Sequence, residues 1–415
     1  MRGLRMSGWR AAWAVGVALG IAGVSGCAEP IEDIDRTQAN LIRKSDLEGE
    51  WHMLQTVVGL PPTRGFTFIG ETSVLERVKW VLQEDVLIGY RSYERVRNAA
   101  SASTDQGFDG TDAPIAVYAV LGHVDVIRQY NETTGEQSNV IIEDTQDRKW
   151  FERDYVRVDW SQNLVQNFDF VAPVDQEVPV AYFVQEEQGG PDAFYREDDE
   201  AGRMTYFDVL GKLFVQPDWD GCIYSWWGLA ATDCAASEVE LRTSFARVAE
   251  KQRYEPFHYD DQMMSRFGYF RSEYFTLDEQ RGVTDAGRRY LINRHDIWQD
   301  SYDAEGKPIP IEQRALKTVP YYLSAAFPDD PLLFDAAQNT MRQWNEGLHS
   351  GLRVLLGKDD LPDVFVLCHN PVIEGDHAGC GARGLAPRIG DLRYSVLHWV
   401  DDESLDGPLG YGPSA

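Results

Sequence analysis

SVLERVKWVLQEDVLIGYRSYERV (residues 73–96), APIAVYAVLGHVDVIRQY (113–130) and SNVIIEDTQDRKWFERDYVRVDW (138–160) decide how the first half of this 415-residue chain folds. Each alternates apolar with polar residues, is rich in Val, Ile and aromatics, and is bounded by Gly, Asn or Asp. A period of two turns one set of side chains toward a core and the other toward water, which is the pattern of a half-buried strand. YNETTGEQ (130–137) reads as the turn joining two such runs. Residues 49–235 are therefore expected to form an antiparallel β-rich domain, although 161–220, with QEEQGGPDAFYREDDEAG (185–202), read as acidic, irregular and exposed.

Around residue 235 the texture changes. ASEVELRTSFARVAEKQ (236–252) places Val239, Leu241, Phe245 and Val248 at roughly helical spacing after a Ser237 cap. PYYLSAAFPDD (320–330) reads as a strand running into a turn, and PLLFDAAQNTMRQWNEGLHSGL (331–352) as an amphipathic helix with Leu333, Ala337, Met341, Trp344 and Leu348 on one stripe. Such a stripe of Met and aromatic residues is read as core. The expected class is α+β, with a second domain over 236–415.

Residues 1–27 read as a signal peptide: Arg2, Arg5 and Arg10 precede the apolar run AAWAVGVALGIAGVSG. Its end, VSGC, resembles a bacterial lipobox, and that resemblance implies acylation of Cys27 and an outer-membrane lipoprotein held in the cell envelope. Residues 28–48 are polar and read as a tether. Formal charge is −28, and loss of the three leader arginines takes it to −31. Phosphate recognition needs clustered Lys and Arg, so a nucleic-acid partner is excluded.

Four further cysteines form two pairs twelve residues apart, Cys222 with Cys234 and Cys368 with Cys380. In an exported chain they are expected to close two local disulfides. CHNPVIEGDHAGC (368–380) also offers Cys368, His369, His377 and Cys380 as zinc-type donors, but without a C-x2-C spacing. Asp105, Asp109 and Asp112 lack the complete calcium-loop pattern and read as a surface loop. Glu255, His258, Asp260 and Asp261 lie within seven residues and suit acid–base or metal work, or simply a hydrogen-bonded polar loop. His295 and Asp296 are a weaker pair, and Asn131-x-Thr133 is a sequon of little meaning in a bacterial export context. No G-x-S-x-G, P-loop or H-E-x-x-H occurs, and no G-x-G-x-x-G follows a strand-like run.

TVPYYLSAAFPDDPLLFDAAQNTMRQWNEGL (318–348) followed by RIGDLRYSVLHWVDDESLDGPLGYGPSA (388–415) resembles secreted bacterial metzincin-type zinc metallopeptidases. In that group a strand, a helix carrying a Trp-Asn pair and an RYSxLxWV strand precede a GPS turn. The matching residues are Trp344, Asn345, Arg393, Tyr394, Trp399, Gly412, Pro413 and Ser414. The resemblance implies an incomplete α/β zincin-like domain. The group's H-E-x-x-H-x-x-G-x-x-H helix follows the GPS turn, its three His holding zinc while the Glu polarises water. No residue up to Ala415 matches it, so no catalytic residue or metal ligand is assigned. Zinc and a peptide or protein substrate are expected only of a longer form. The alternative reading is a non-catalytic, surface-exposed binding or scaffold lipoprotein.

Overall fold

The structure, a computed structural model, describes residues 32–400 apart from 39, 61–67, 93–95, 98–113, 132, 161–162, 166–182, 185–193, 216–236, 250–253, 260, 277 and 279. The expectations for residues 1–27 with Cys27, for Asp105, Asp109 and Asp112, for Cys222 and Cys234, and for Gly412, Pro413 and Ser414 lie outside the described residues.

Thirteen strands come first: β1 Ile34–Asp35, β2 Leu41–Arg43, β3 Glu50–Gly59, β4 Glu76–Leu82, β5 Val86–Arg91, β6 Val96–Arg97, β7 Pro114–Tyr130, β8 Gln137–Asp144, β9 Tyr155–Asp159, β10 Phe183–Val184, β11 Phe194–Asp198, β12 Met204–Val215 and β13 Ser237–Arg247. The rest of the described chain alternates: α1 Asp261–Phe267, β14 Arg271–Thr276, β15 Arg288–Ile292, β16 Val319–Leu323, α2 Pro331–Leu356, β17 Phe365–Cys368 and β18 Ser395–Leu397. With about 41% strand and 17% helix the fold is α+β and β-rich.

The chain divides into two compact units. The first combines the described part of Met1–Arg36 with Ile127–Ile142. In it β1 runs parallel to β8, with Ile34 opposite Val140, and Arg128 grips Asp33 through two hydrogen bonds of 2.7 and 2.5 Å. The expected turn forms, its Asn131 side chain accepting from the Thr133 N–H at 2.9 Å.

The second unit holds Thr37–Val126 and Glu143–Ala415. Its main sheet runs β7-β5-β4-β3-β13-β12-β10, with β9 on β7, β2 on β9 and β11 on β12. These pairings are antiparallel. The alternation in β3, β4, β5, β7 and β9 sends Trp51, Met53, Val78, Trp80, Leu87, Tyr118, Val156 and Val158 into one buried cluster. Trp160, Phe207 and Phe245 join it. Phe207 stacks on Phe245 at 4.5 Å and takes the edge of Trp51 at 5.3 Å.

Three expectations are corrected. Residues 237–247 are not a helix but β13, paired with both β12 and β3. Val239, Leu241, Thr243 and Phe245 are also spaced by two, and the sheet buries all four, so the strand period prevails over the helical one. The anticipated start of a second domain at 236 thus falls in the middle of the sheet. Residues 194–215 are not irregular: they supply β11 and β12, with Tyr206, Phe207 and Asp208 at 0% exposure. The second half of the stretch read as a tether enters the sheet, because β2 pairs with β9 and Ile42 and Leu47 plug the core.

Two small sheets follow in this unit. In one, β14 pairs antiparallel with β15 and parallel with β6. In the other, β16 lies between β17 and β18, and both pairings are parallel.

Candidate functional site

Of the residues that carry the resemblance, Trp344 and Asn345 lie on α2, and Arg393, Tyr394 and Trp399 flank β18. The helix starts where the sequence places a cap: Asp330 accepts from the Leu332 N–H at 2.8 Å and Pro331 fills the first turn. It stops at Gly357, in the left-handed region at φ 63. Its buried side chains are Met341, Asn345, His349, Leu352 and Leu356. Trp344 is thus not in the core as its stripe suggested. It is 46% exposed at the rim, edge-on to Phe365 and Tyr321 at 5.5 and 6.1 Å.

The buried stripe is shared with two polar residues because each satisfies backbone that has no other strand to meet. Asn345 accepts from the N–H groups of Val364 and Phe365 at 3.0 and 2.9 Å and donates to the Phe365 carbonyl at 2.7 Å. His349 meets the Pro362 carbonyl at 3.0 Å. Leaving such groups unpaired in a buried site costs about 1–3 kcal/mol each. Asn345 therefore fixes where β17 begins relative to the helix.

Behind the sheet, on the face away from α2, Tyr322, Val366, Cys368, Val372 and Cys380 make a second small core with Leu385 and Tyr394. Cys368 and Cys380 are joined in a disulfide, Cα–Cα 5.7 Å, as the spacing predicted. Closing a loop of this length contributes about 3 kcal/mol in the chain-entropy account. Within the loop Asp376 organises the backbone: it accepts from the His369 and Ile373 N–H groups at 3.2 and 3.0 Å, and its other oxygen meets His369 Nδ1 at 2.7 Å. Burial opposes ionisation of Asp376, but these hydrogen bonds and the His369 ring together hold its carboxyl below the usual range. The His369 ring also stacks on Phe334 of α2 at 4.5 Å.

The chain then crosses onto the polar face of β12 and β13. Asp208, fully buried, binds Arg242 at 2.7 Å, Arg388, and the Tyr206 hydroxyl at 2.8 Å. Arg242 donates to the Ile389 carbonyl at 2.8 Å, and the Ser244 hydroxyl donates to that of Gly390. At Gly390, φ 82, a β-carbon would stand 2.9 Å from Thr56 Cβ, so a side chain there would lift the segment off the sheet. Arg393 lies over the Tyr206 ring at 3.8 Å and pairs with Glu197 at 2.6 Å and Asp391 at 2.7 Å. Burial works against its charge, yet the two carboxylates hold its pKa above the ordinary arginine value. Burial, and then the charge of Asp208, keep the Tyr206 phenol protonated. These charges are all internally matched, and the arrangement clamps residues 388–393 to the sheet.

Of the motif residues, Trp344 and Asn345 lie together on α2, whereas Tyr394 crosses Tyr322 at 5.4 Å on the opposite face of the sheet and the Trp399 N–H donates to Ser324 Oγ at 3.0 Å. Arg393 sits apart from them in the clamp. The other candidates separate. Glu255 is taken by Arg314 at 2.7 Å, while His258 is exposed and forms a lone bridge with Leu291. Asp260 lies outside the described residues, and of Asp261 only its place at the start of α1 is described. Asp296 pairs with Lys317 at 3.0 Å, and His295 packs edge-on against Phe365, where burial lowers its pKa. Among the described residues no three His, Cys, Asp or Glu side chains converge as a metal set. The zinc alternative at 368–380 fails on its donors: both sulfurs are in the disulfide, and His377 Nδ1 accepts from the Gly379 N–H at 3.0 Å. Asp208 and Arg242 carry no local signal beyond the polar half of a strand alternation, and Arg388 lies in the irregular segment before β18. Comparison of the chain with models of protein families, with curated proteins and with solved structures finds no match.

Proposed function

We propose that the region from about residue 250 onward is a metzincin-type zinc-peptidase-like domain, carried on a cell-envelope lipoprotein anchored to the outer membrane through Cys27. The observation that supports this reading most is the order of elements: strand β16, helix α2 with Trp344-Asn345, then β18 following Arg393-Tyr394, all on one parallel sheet. The lipobox-like VSGC supports the anchor.

Among the described residues the donors do not fit a catalytic zinc, since the Cys/His-rich loop 368–380 spends them on a disulfide, on the Asp376 carboxylate and on a backbone N–H. No step through a metal is therefore derived. The test is zinc content and peptide hydrolysis of the purified chain. Sub-stoichiometric zinc and no cleavage are expected, and one equivalent of tightly held zinc overturns the reading. The internally matched clamp on Asp208 favours a second reading, a non-catalytic scaffold lipoprotein. Under that reading the purified chain unfolds in one cooperative transition.

A further inference from the structure

Every residue from Met264 to Phe270 is exposed, and the run carries Met264, Phe267, Tyr269 and Phe270 at 41, 64, 53 and 67%. Four large apolar side chains in seven exposed positions make a contiguous patch of the kind that marks a contact surface. The patch is held out by a fixed backbone. Beneath it Tyr259, 1% exposed, accepts the Tyr269 N–H on its hydroxyl at 2.9 Å, and the Asn293 N–H donates to the Phe270 carbonyl at 2.9 Å. Gly268, at φ 65, makes the reversal between α1 and β14. Phe267 and Tyr269 face each other at 6.5 Å across it.

The flanking charges are both cationic, Arg266 at the end of α1 and Arg271 at the start of β14, in a chain of formal charge −28. Exposed charges farther away than a Debye length, about 8 Å at physiological salt, are largely screened, so an approaching surface senses Arg266 and Arg271 together with Glu273, whose carboxylate is matched by Arg288 at 2.8 Å. Phe between Tyr and Arg is the composition that settles at a bilayer interface: rings among the acyl–headgroup boundary, guanidinium groups on anionic phosphates. We propose that Arg266–Arg271, the sequence RFGYFR, is a membrane-contact tip that inserts Phe267, Tyr269 and Phe270 into the headgroup region of an anionic leaflet. The proposal rests on the lipid-anchor reading, which keeps the tip beside a leaflet and makes a lipid surface its standing partner.

The experiment places the photoreactive residue p-benzoylphenylalanine at Phe270 in the full chain with Cys27 intact, and at the exposed Phe151 as control. Cells are irradiated, fractionated, and adducts identified by mass. In membrane-bound chain, lipid adducts at Phe270 several-fold above those at Phe151 are expected. A membrane-bound chain whose Phe270 probe takes up no lipid, or couples to protein, overturns the tip and leaves the anchor standing. A chain found in the soluble fraction removes the anchor. Its probe is then irradiated with vesicles of phosphatidylethanolamine and phosphatidylglycerol: lipid adducts sustain the tip alone, and none overturns it as well.

Discussion

The main sheet and the β16–α2–β17–β18 unit achieve order by different means. The sheet buries an uninterrupted aromatic cluster, Trp51, Trp80, Tyr118, Trp160, Phe207 and Phe245, on one face. The parallel unit has three short strands and small clusters, and it relies on specific links: the Cys368–Cys380 bridge, the Asn345 amide on β17 and the Asp376 carboxylate in the loop. Apolar burial is non-directional and tolerates local adjustment, whereas a buried amide or a crosslink fails as a single event. The comparison teaches that the region with the smaller core is the one whose register depends on polar residues.

Removing a ring from the sheet should give the largest effect. Phe207→Ala opens a cavity among Trp51, Trp160, Phe194 and Phe245 and is expected to cost about 3–5 kcal/mol in denaturant unfolding. A loss below about 1 kcal/mol would mean the cluster repacks freely, against the close packing assigned to it. Next is Asn345→Ala, which strands two N–H groups and one carbonyl at the start of β17. It should cost about 2–3 kcal/mol, and amide hydrogen exchange should rise at Val364 and Phe365 while the sheet stays protected. Equal loss of protection in β12 and β13 would show that the two regions open as one.

The smallest effect is on pH. Burial lowers the pKa of His295 and His398 beside the parallel unit and, in the sheet, of His52 and His123, where it is also the largest cause. Below the ordinary histidine value of about 6.5 the unfolded chain takes up protons that the folded chain refuses. Stability is then present in full above that pH and falls as the solution is acidified toward the lowered values. Asp376 acts in the same direction at lower pH: its contribution holds above the ordinary carboxylate value and is lost as pH falls through its depressed one. Thermal melts between about pH 8 and 5 should show the first decline, and His295→Phe should flatten it. An unchanged slope in that variant would assign the decline to the sheet histidines.

Much of the architecture was legible because periodicity is local. The runs 73–96, 113–130 and 138–160 became β4–β5, β7 and β8–β9, and 331–352 lies inside α2. Asp330, Pro331 and Gly357 cap the helix, which in the structure continues past 352 to Leu356. Residues 237–247 were misread because Leu241, Phe245 and Val248 fit a helical spacing while Val239, Leu241, Thr243 and Phe245 fit a period of two, and a window that short does not choose between them. The candidate site was half legible: its disulfide and the Trp344-Asn345 helix were visible, but the reason for Asn345 was not, since that reason is a strand twenty residues away.

What the sequence by itself determined is therefore the alternating strands, the amphipathic helix and the Cys368–Cys380 partnership, each settled by residues within a turn, a strand or one loop of each other. Only the tertiary structure decided that Ser237–Arg247 is a strand, that Ile42 and Leu47 belong to the core, and that Asp208 receives Arg388 from 180 residues along the chain. The physical reason is that period and capping are properties of neighbouring residues. Whether an ambiguous strand is paired, and which arginine neutralises a buried carboxylate, depends on what the rest of the chain brings against it.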